Sequence, residues 1–178
     1  VSPKWFLMDR IGAALVRLGI GRDHYRVAPG LYALGEPDSQ SPVLVTCNFK
    51  LTFDLLRREL AGRPFWLLVV ETYGINVWCA AGKRSFSAEE VAGRVRAAGL
   101  DKVVTHRNLI LPQLAAPGVA VRKLPKLCGF SGVFGPVRAE DLPTFLDAGM
   151  QAGPEMRTVR GRRCRAPRRT DEPGGPAR

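Results

Sequence analysis

The residues best suited to chemistry lie in one stretch, Gly74-Ile75-Asn76-Val77-Trp78-Cys79-Ala80-Ala81-Gly82-Lys83. As a thiolate, a cysteine is both a nucleophile and a soft metal ligand. Gly74 permits a sharp turn, and Asn76 is a good N-cap for a helix opening at Val77. Cys79 then falls in the first helical turn, where free amides and the helix dipole favour thiolate over thiol. Ala80, Ala81 and Gly82 carry little side chain, which leaves a face able to lie flat against a large planar ligand. Trp78 adds apolar area beside it, and Lys83 a positive charge at the far end. Read locally, the same pattern also fits an inert core cysteine, the ordinary fate of a lone Cys in apolar sequence.

The other cysteines do not extend this site. Cys47, Cys79, Cys128 and Cys164 are 32, 49 and 36 residues apart, with no CxxC pair, zinc-type Cys/His cluster or ferredoxin-type run. The sequence therefore shows no iron–sulfur cluster site of its own. Asp23-His24 invites comparison with the DxHxxG corrinoid motif, but the spacing is wrong and that reading is rejected.

The run Asn76 to Lys83 resembles the cap-helix signature of the mercury-methylation corrinoid proteins, and the resemblance extends from about Tyr25 to about Met156. It implies a Rossmann-like corrinoid-binding domain, with a cobalamin-type corrinoid lying on a short cap helix. Cys79 would be the lower axial ligand of the cobalt, with Gly74 and the cap run Asn76, Val77, Trp78, Ala80, Ala81, Gly82 and Lys83 around the cofactor. The implied activity is methyl transfer, in which a methyl group from a methyltetrahydrofolate-type donor is carried on cobalt(III) and delivered to Hg(II) to give methylmercury. A ferredoxin-like iron–sulfur protein would return the cobalt to its reduced state. His106 to Pro112 resembles both this family and the large subunit of the corrinoid iron–sulfur protein. A methyl carrier of that kind, in acetyl-CoA-type one-carbon metabolism, is the closest alternative. The missing four-cysteine motif and the cysteine at the cap position argue against it. A truncated, non-catalytic binding domain is a further alternative. Members of the resembled family continue into membrane-spanning helices that this sequence lacks, so the expected location is cytoplasmic.

The elements that would position this site alternate between strand and helix. Pro42 to Thr46, Phe65 to Val70, Asp101 to Thr105, Gly118 to Leu124 and Gly132 to Phe134 read as short strands. Leu51 to Leu60, Ser87 to Ala98 and Glu140 to Ala148 read as helices, the second opened by the capping box Ser87-Ala88-Glu89-Glu90 and stopped by Gly99. The first would turn Leu51, Leu55, Leu56 and Leu60 inward. This alternation implies an α/β fold with a mostly parallel sheet. In such sheets ligands sit at the carboxyl ends of the strands. Thr46 and Asn48 are therefore candidate partners for corrinoid side-chain amides, as well as ordinary turn residues. His106 is a candidate for the corrinoid rim or nucleotide tail, or a structural imidazole. Ser131, Gly132 and Gly135 offer bare backbone to a ligand.

Outside this core, Trp5 to Leu18 spaces apolar residues as an amphipathic helix packed on the domain, and Tyr25 to Gln40 reads as a loop. A chain of 178 residues with 46% hydrophobic and 24% charged residues has the composition of a globular protein with one substantial core. Expected boundaries are 1–24 for the helix and linker, 25–156 for the binding domain and 157–178 for a basic disordered tail. That tail holds eight Arg against Asp171 and Glu172, so +6 of the net charge of +11 belongs to it. The basic balance therefore does not mark a specific nucleic-acid face. No stretch reaches the ~20 apolar residues that span a bilayer.

Overall fold

The computed structural model describes residues 11, 12, 14–16, 18 and 25–159. Asp23-His24, Cys164 and the basic tail beyond Val159 lie outside the described residues, as does the Trp5–Arg10 part of the expected amino-terminal helix.

Five strands form one sheet. These are β1 (Gly30–Leu34), β2 (Val43–Cys47), β3 (Phe65–Val70), β4 (Asn108–Leu111) and β5 (Ser131–Phe134), in the order β1-β3-β2-β4-β5. β1 runs antiparallel to β3, and the other pairs are parallel. Every residue of β2 is buried, as a strand covered on both faces requires. Side chains alternate between two cores. Val43, Val45, Cys47, Leu68, Val70, Leu109 and Leu111 face one side, where α2 (Val77–Gly82), α3 (Ala88–Ala97), α4 (Leu100–Val103) and α5 (Leu124–Cys128) cover them. Leu44, Leu67, Val69 and Ile110 face the other, beneath α1 (Lys50–Glu59) and α6 (Leu142–Asp147). The result is the expected Rossmann-like layering of helices on both faces of a mostly parallel sheet.

Several element assignments are corrected. The Tyr25–Gln40 segment holds β1. Its Gly and Pro residues mark the ends of a short edge strand, and the turn at Gly35 (φ 68°) leaves no room for a Cβ, which would stand 2.9 Å from the Arg63 carbonyl. Asp101 to Thr105 is not a strand. Gly99 adopts φ 58° and stops α3, the chain re-enters a helix at once as α4, and the buried Leu100 anchors it. Gly118 to Leu124 is likewise not a strand but a 3-10 turn over Val121–Lys123 leading into α5, with Pro125 in its first turn and Gly129 as its stop. In both stretches the β-branched residues belong to short turns packed against the sheet.

Two helical faces also differ from expectation. On α1 the buried residues are Phe53, Asp54, Leu56 and Arg57, while Leu51 and Leu55 are only half-buried. Among the described residues of the amino-terminal helix, Val16 enters the core, whereas Ile11, Leu15 and Leu18 are exposed. No helix among the described residues is long and apolar enough to cross a membrane.

Candidate functional site

After β2 the chain crosses to β3 on one side, then returns to β4 on the other. A crevice opens at the carboxyl end of a sheet where the strand order reverses in this way. The β2–β4 ladder covers only Val43↔Leu109 and Leu44↔Ile110, and the crevice lies beyond it, with a volume of about 290 Å³. Leu44, Thr46, Ile110 and Leu111 form its floor, α1 supplies Thr52, Leu55 and Leu56, and Gly135 to Val137 follow from β5. Asn76, Val77 and Trp78 stand at the α2 side.

The turn that presents α2 is built on one buried amide. Asn48 Oδ1 accepts from the backbone amides of Thr72 (3.2 Å) and Gly74 (2.9 Å) and lies 2.8 Å from the Thr72 hydroxyl. Its Nδ2 donates to Glu71 Oε1 at 2.7 Å, and that carboxylate oxygen also accepts from the Tyr73 amide at 2.6 Å. Tyr73 and Gly74 are both left-handed, with φ 58° and 74°; only the glycine takes that conformation without strain. Asn48 has two readings in the sequence, a partner for a ligand amide or a turn residue, and its carbonyl oxygen takes the second role.

Asn76 caps α2 as the sequence predicts, accepting from the Cys79 amide at 3.1 Å. Val77, Ala80 and Ala81 are buried, whereas Trp78, Cys79, Gly82 and Lys83 are exposed. The face available to a ligand is therefore Trp78-Cys79-Gly82-Lys83, and the small residues Ala80 and Ala81 serve packing, which corrects the flat Ala-Ala-Gly face. Trp78 is 66% exposed, unusual for so large an apolar side chain. Cys47, by contrast, is a core residue, and burial pushes its thiol pKa up.

Close approach at Gly118 seats this helix. A Cβ there would stand 2.7 Å from the Ala81 carbonyl oxygen and 2.8 Å from Ala81 Cα. Gly118→Ala is expected to push α2 outward and lower stability by about 1–3 kcal/mol in urea denaturation. Gly93→Ala, on the open side of α3 with nothing within 4 Å, should instead gain about 0.5–1 kcal/mol. Equal effects of the two substitutions would refute the packing account.

The remaining candidates separate. Thr46 and Gly135 are in the crevice. His106 and Ser131 are not. His106 was placed at a strand's carboxyl end because Asp101 to Thr105 read as a strand. It precedes β4 instead, at the amino edge of the sheet, with Nε2 2.9 Å from the Ser41 carbonyl and Nδ1 accepting from the Asn108 amide at 3.3 Å. Ser131 pairs with Asn108 at that same edge. Gly132 makes room for packing, since a Cβ would meet Leu111 Cδ1 at 2.6 Å and Leu124 Cδ1 at 3.0 Å. Thr52, Leu55, Val137 and Leu142 line the crevice and were not anticipated. Their one sequence signal is that each lies just past the carboxyl end of a predicted strand or in the helix after it.

A two-sided α/β domain, with an apolar crevice at its switch point and an exposed thiol on the adjoining short helix, places the chain in the class of Rossmann-like domains. The chain belongs to the CO dehydrogenase/acetyl-CoA synthase delta subunit family, whose family model matches residues 20–145. It is 35% identical over 129 residues to the acetyl-CoA decarbonylase/synthase complex subunit gamma of Methanopyrus kandleri, covering 71% of this chain and 27% of that protein. It is 33% identical over 127 residues to the corrinoid/iron-sulfur protein large subunit of Moorella thermoacetica, covering 70% and 28%. A gamma 2 subunit from Methanosarcina thermophila is 43% identical over 90 residues, covering 48% and 19%. The chain thus spans about a fifth to a quarter of the length of these relatives.

Proposed function

We propose that this chain is the corrinoid-binding domain of a methyl-transfer protein, with Cys79 as the lower axial ligand of the cobalt. The observation that carries the reading is the outward display of Cys79 on α2, one residue beyond Trp78 at the crevice. The residues present fit such a group. A soft thiol stands clear of the core, and the buried Thr46 hydroxyl finds no hydrogen-bond partner among the described residues beyond the weak thiol of adjacent Cys47. Asn76, Val77, Trp78 and Gly135 would hold the group with Thr46, while Gly82 and Lys83 complete the exposed face of α2. When bound, a corrinoid supplies a cobalt centre that takes up and releases a methyl group, and the protein supplies placement and electronic tuning.

The relatives favour a methyl carrier of acetyl-CoA-type one-carbon metabolism over delivery to Hg(II), since their names place them in acetyl-CoA decarbonylase/synthase complexes and in a corrinoid/iron-sulfur protein. The methyl donor in this reading is of the methyltetrahydrofolate type. No group of three or more His, Cys, Asp or Glu able to hold a metal ion occurs among the described residues, and a ferredoxin-like partner is the proposed source of electrons. One observation keeps the mercury reading as a second. The exposed Cys79 thiol is a soft donor, and such a donor to a corrinoid would suit methyl delivery to a soft cation.

The test is absorption and electron paramagnetic resonance spectroscopy of the chain loaded with cobalamin, as wild type and Cys79→Ala. A thiolate-type spectrum that the substitution removes, while corrinoid stays bound, is the expected result. A spectrum indifferent to Cys79 would sink axial ligation and with it the mercury reading, leaving a carrier. Failure of the folded chain to take up any corrinoid would overturn both.

A further inference from the structure

We propose that the outer edge of β5 is a docking site for an extended, acidic segment of a partner protein, which adds to the sheet as a further strand. β5 is the last strand in the order, so one of its edges has no neighbour. The register fixes what that edge presents. The Ser131 amide donates to the Arg107 carbonyl at 2.7 Å and the Gly135 amide to the Leu111 carbonyl at 2.8 Å, so the odd-numbered residues bond β4 in an evenly spaced parallel ladder. The amides and carbonyls of Gly132 and Phe134 therefore point away from β4, and they find no partner among the described residues. Natural edge strands are blunted by charged residues, proline, bulges or a covering element. Ser131-Gly132-Val133-Phe134 contains neither charge nor proline. Its guard is brevity, so a strand added there needs side-chain contacts as well.

The flanking side chains supply those contacts and select the occupant. Val133 stands opposite Ile110 in the register, and Met150 lines a small cavity with Ile110; both are 39% exposed. An apolar side chain of the incoming strand removes area from water against them. Arg107, whose carbonyl accepts from Ser131, holds its guanidinium 5.2 Å from the ring of Phe130, the residue that enters β5. Arg96 donates to the Leu127 carbonyl at 2.6 Å, and Lys126 is exposed on α5, which packs against β5. Arg57, Arg63 and Arg138 each pair with a carboxylate, whereas Arg96, Arg107 and Lys126 form no ion pair among the described residues. Even Asp101 meets Arg107 through its backbone carbonyl, at 3.4 Å, and not through its carboxylate. Uncompensated cations beside a strand edge favour carboxylates in the segment that pairs with it. The same charges disfavour two nearer occupants. A second copy would add its own cations to the interface, and residues 157–178 of this chain carry eight Arg against two acids.

The probes are two synthetic peptides of about eight residues, one alternating valine with glutamate and the other valine with lysine. Each is added to the full 178-residue chain, and amide hydrogen exchange is read residue by residue. The valine–glutamate peptide should slow exchange of the Gly132 and Phe134 amides about tenfold or more. The Val133 amide, already bonded to β4, should change little, and that alternation is the signature of strand addition. Lys126→Glu, a substitution at an exposed position, should weaken this peptide about fivefold, and the valine–lysine peptide should protect nothing. Equal protection by both peptides would overturn the acidic occupant, as would a Lys126→Glu chain that binds as tightly as wild type. No protection by the valine–glutamate peptide, or protection without alternation, would overturn the docking site itself. A chain that sediments as a dimer with Gly132 and Phe134 already protected would put a second copy on this edge and overturn the partner. None of these outcomes touches the corrinoid reading.

Discussion

Asp54→Ala is expected to lower the stability of the domain by about 3–5 kcal/mol, the range for breaking a buried ion pair from one side. Asp54 is fully buried in α1, with Lys50 Nζ at 2.6 Å and Arg57 Nη1 at 2.9 Å. The Arg57 side chain is itself nearly buried, so removing the carboxylate takes away the Asp54 half of a pairing formed out of water. Alanine is the better helix former, so helix propensity works against the loss. Lys50→Ala removes the more exposed partner and should cost no more than about 1 kcal/mol. Urea denaturation of the two variants decides the matter. A loss below about 1 kcal/mol for Asp54→Ala would mean that water reaches the pair. Because α1 supplies Thr52, Leu55 and Leu56 to the crevice, ligand binding should weaken along with stability.

Asn48→Ala is expected to have the next largest effect, about 3 kcal/mol, because it orphans several buried donors at once. The Thr72 and Gly74 amides lose their acceptor, and Glu71 loses a donor. The strained Tyr73 then has less to hold it in the left-handed region, and the entry to α2 should loosen. Amide hydrogen exchange checks this locally: protection at Thr72 and Gly74 should fall further than protection at the β2 and β3 amides. Uniform loss across the sheet would show instead that Asn48 supports the whole domain. Asn48→Asp keeps the acceptor but sets a second carboxylate against Glu71, so it should not rescue the turn.

Much of this arrangement was legible from residue types and spacing, because the physics concerned is local. Asn76 caps α2 and Ser87 caps α3, accepting from Glu90 N at 3.2 Å, since a side-chain oxygen three residues ahead of a free amide satisfies it whatever the fold. β2 and β3 were readable as continuous apolar runs because both faces of a central parallel strand are covered. The exposed cysteine was less secure. Its sequence context fits burial equally well, and it is the 3.6-residue repeat of α2, anchored by Val77, Ala80 and Ala81, that turns Cys79 outward.

Other features depend on partners distant in sequence. β1 is a strand because β3 offers it an open edge, which nothing between Tyr25 and Gln40 announces. Val103, Val104 and Thr105 look like strand residues, but the left-handed Gly99 and the buried Leu100 draw the segment into a helix and move His106 to the opposite edge of the sheet from Cys79. Asn48 reads in the sequence as either a ligand-facing amide or a turn residue, and it is the Glu71–Gly74 turn, some two dozen residues downstream, that claims its carbonyl oxygen. Residue identity by itself determined which side chains can cap, ligate or fill a core. Tertiary structure alone decided which of them share the crevice, because that depends on strand order, and strand order is set by the packing of both faces of the sheet at once.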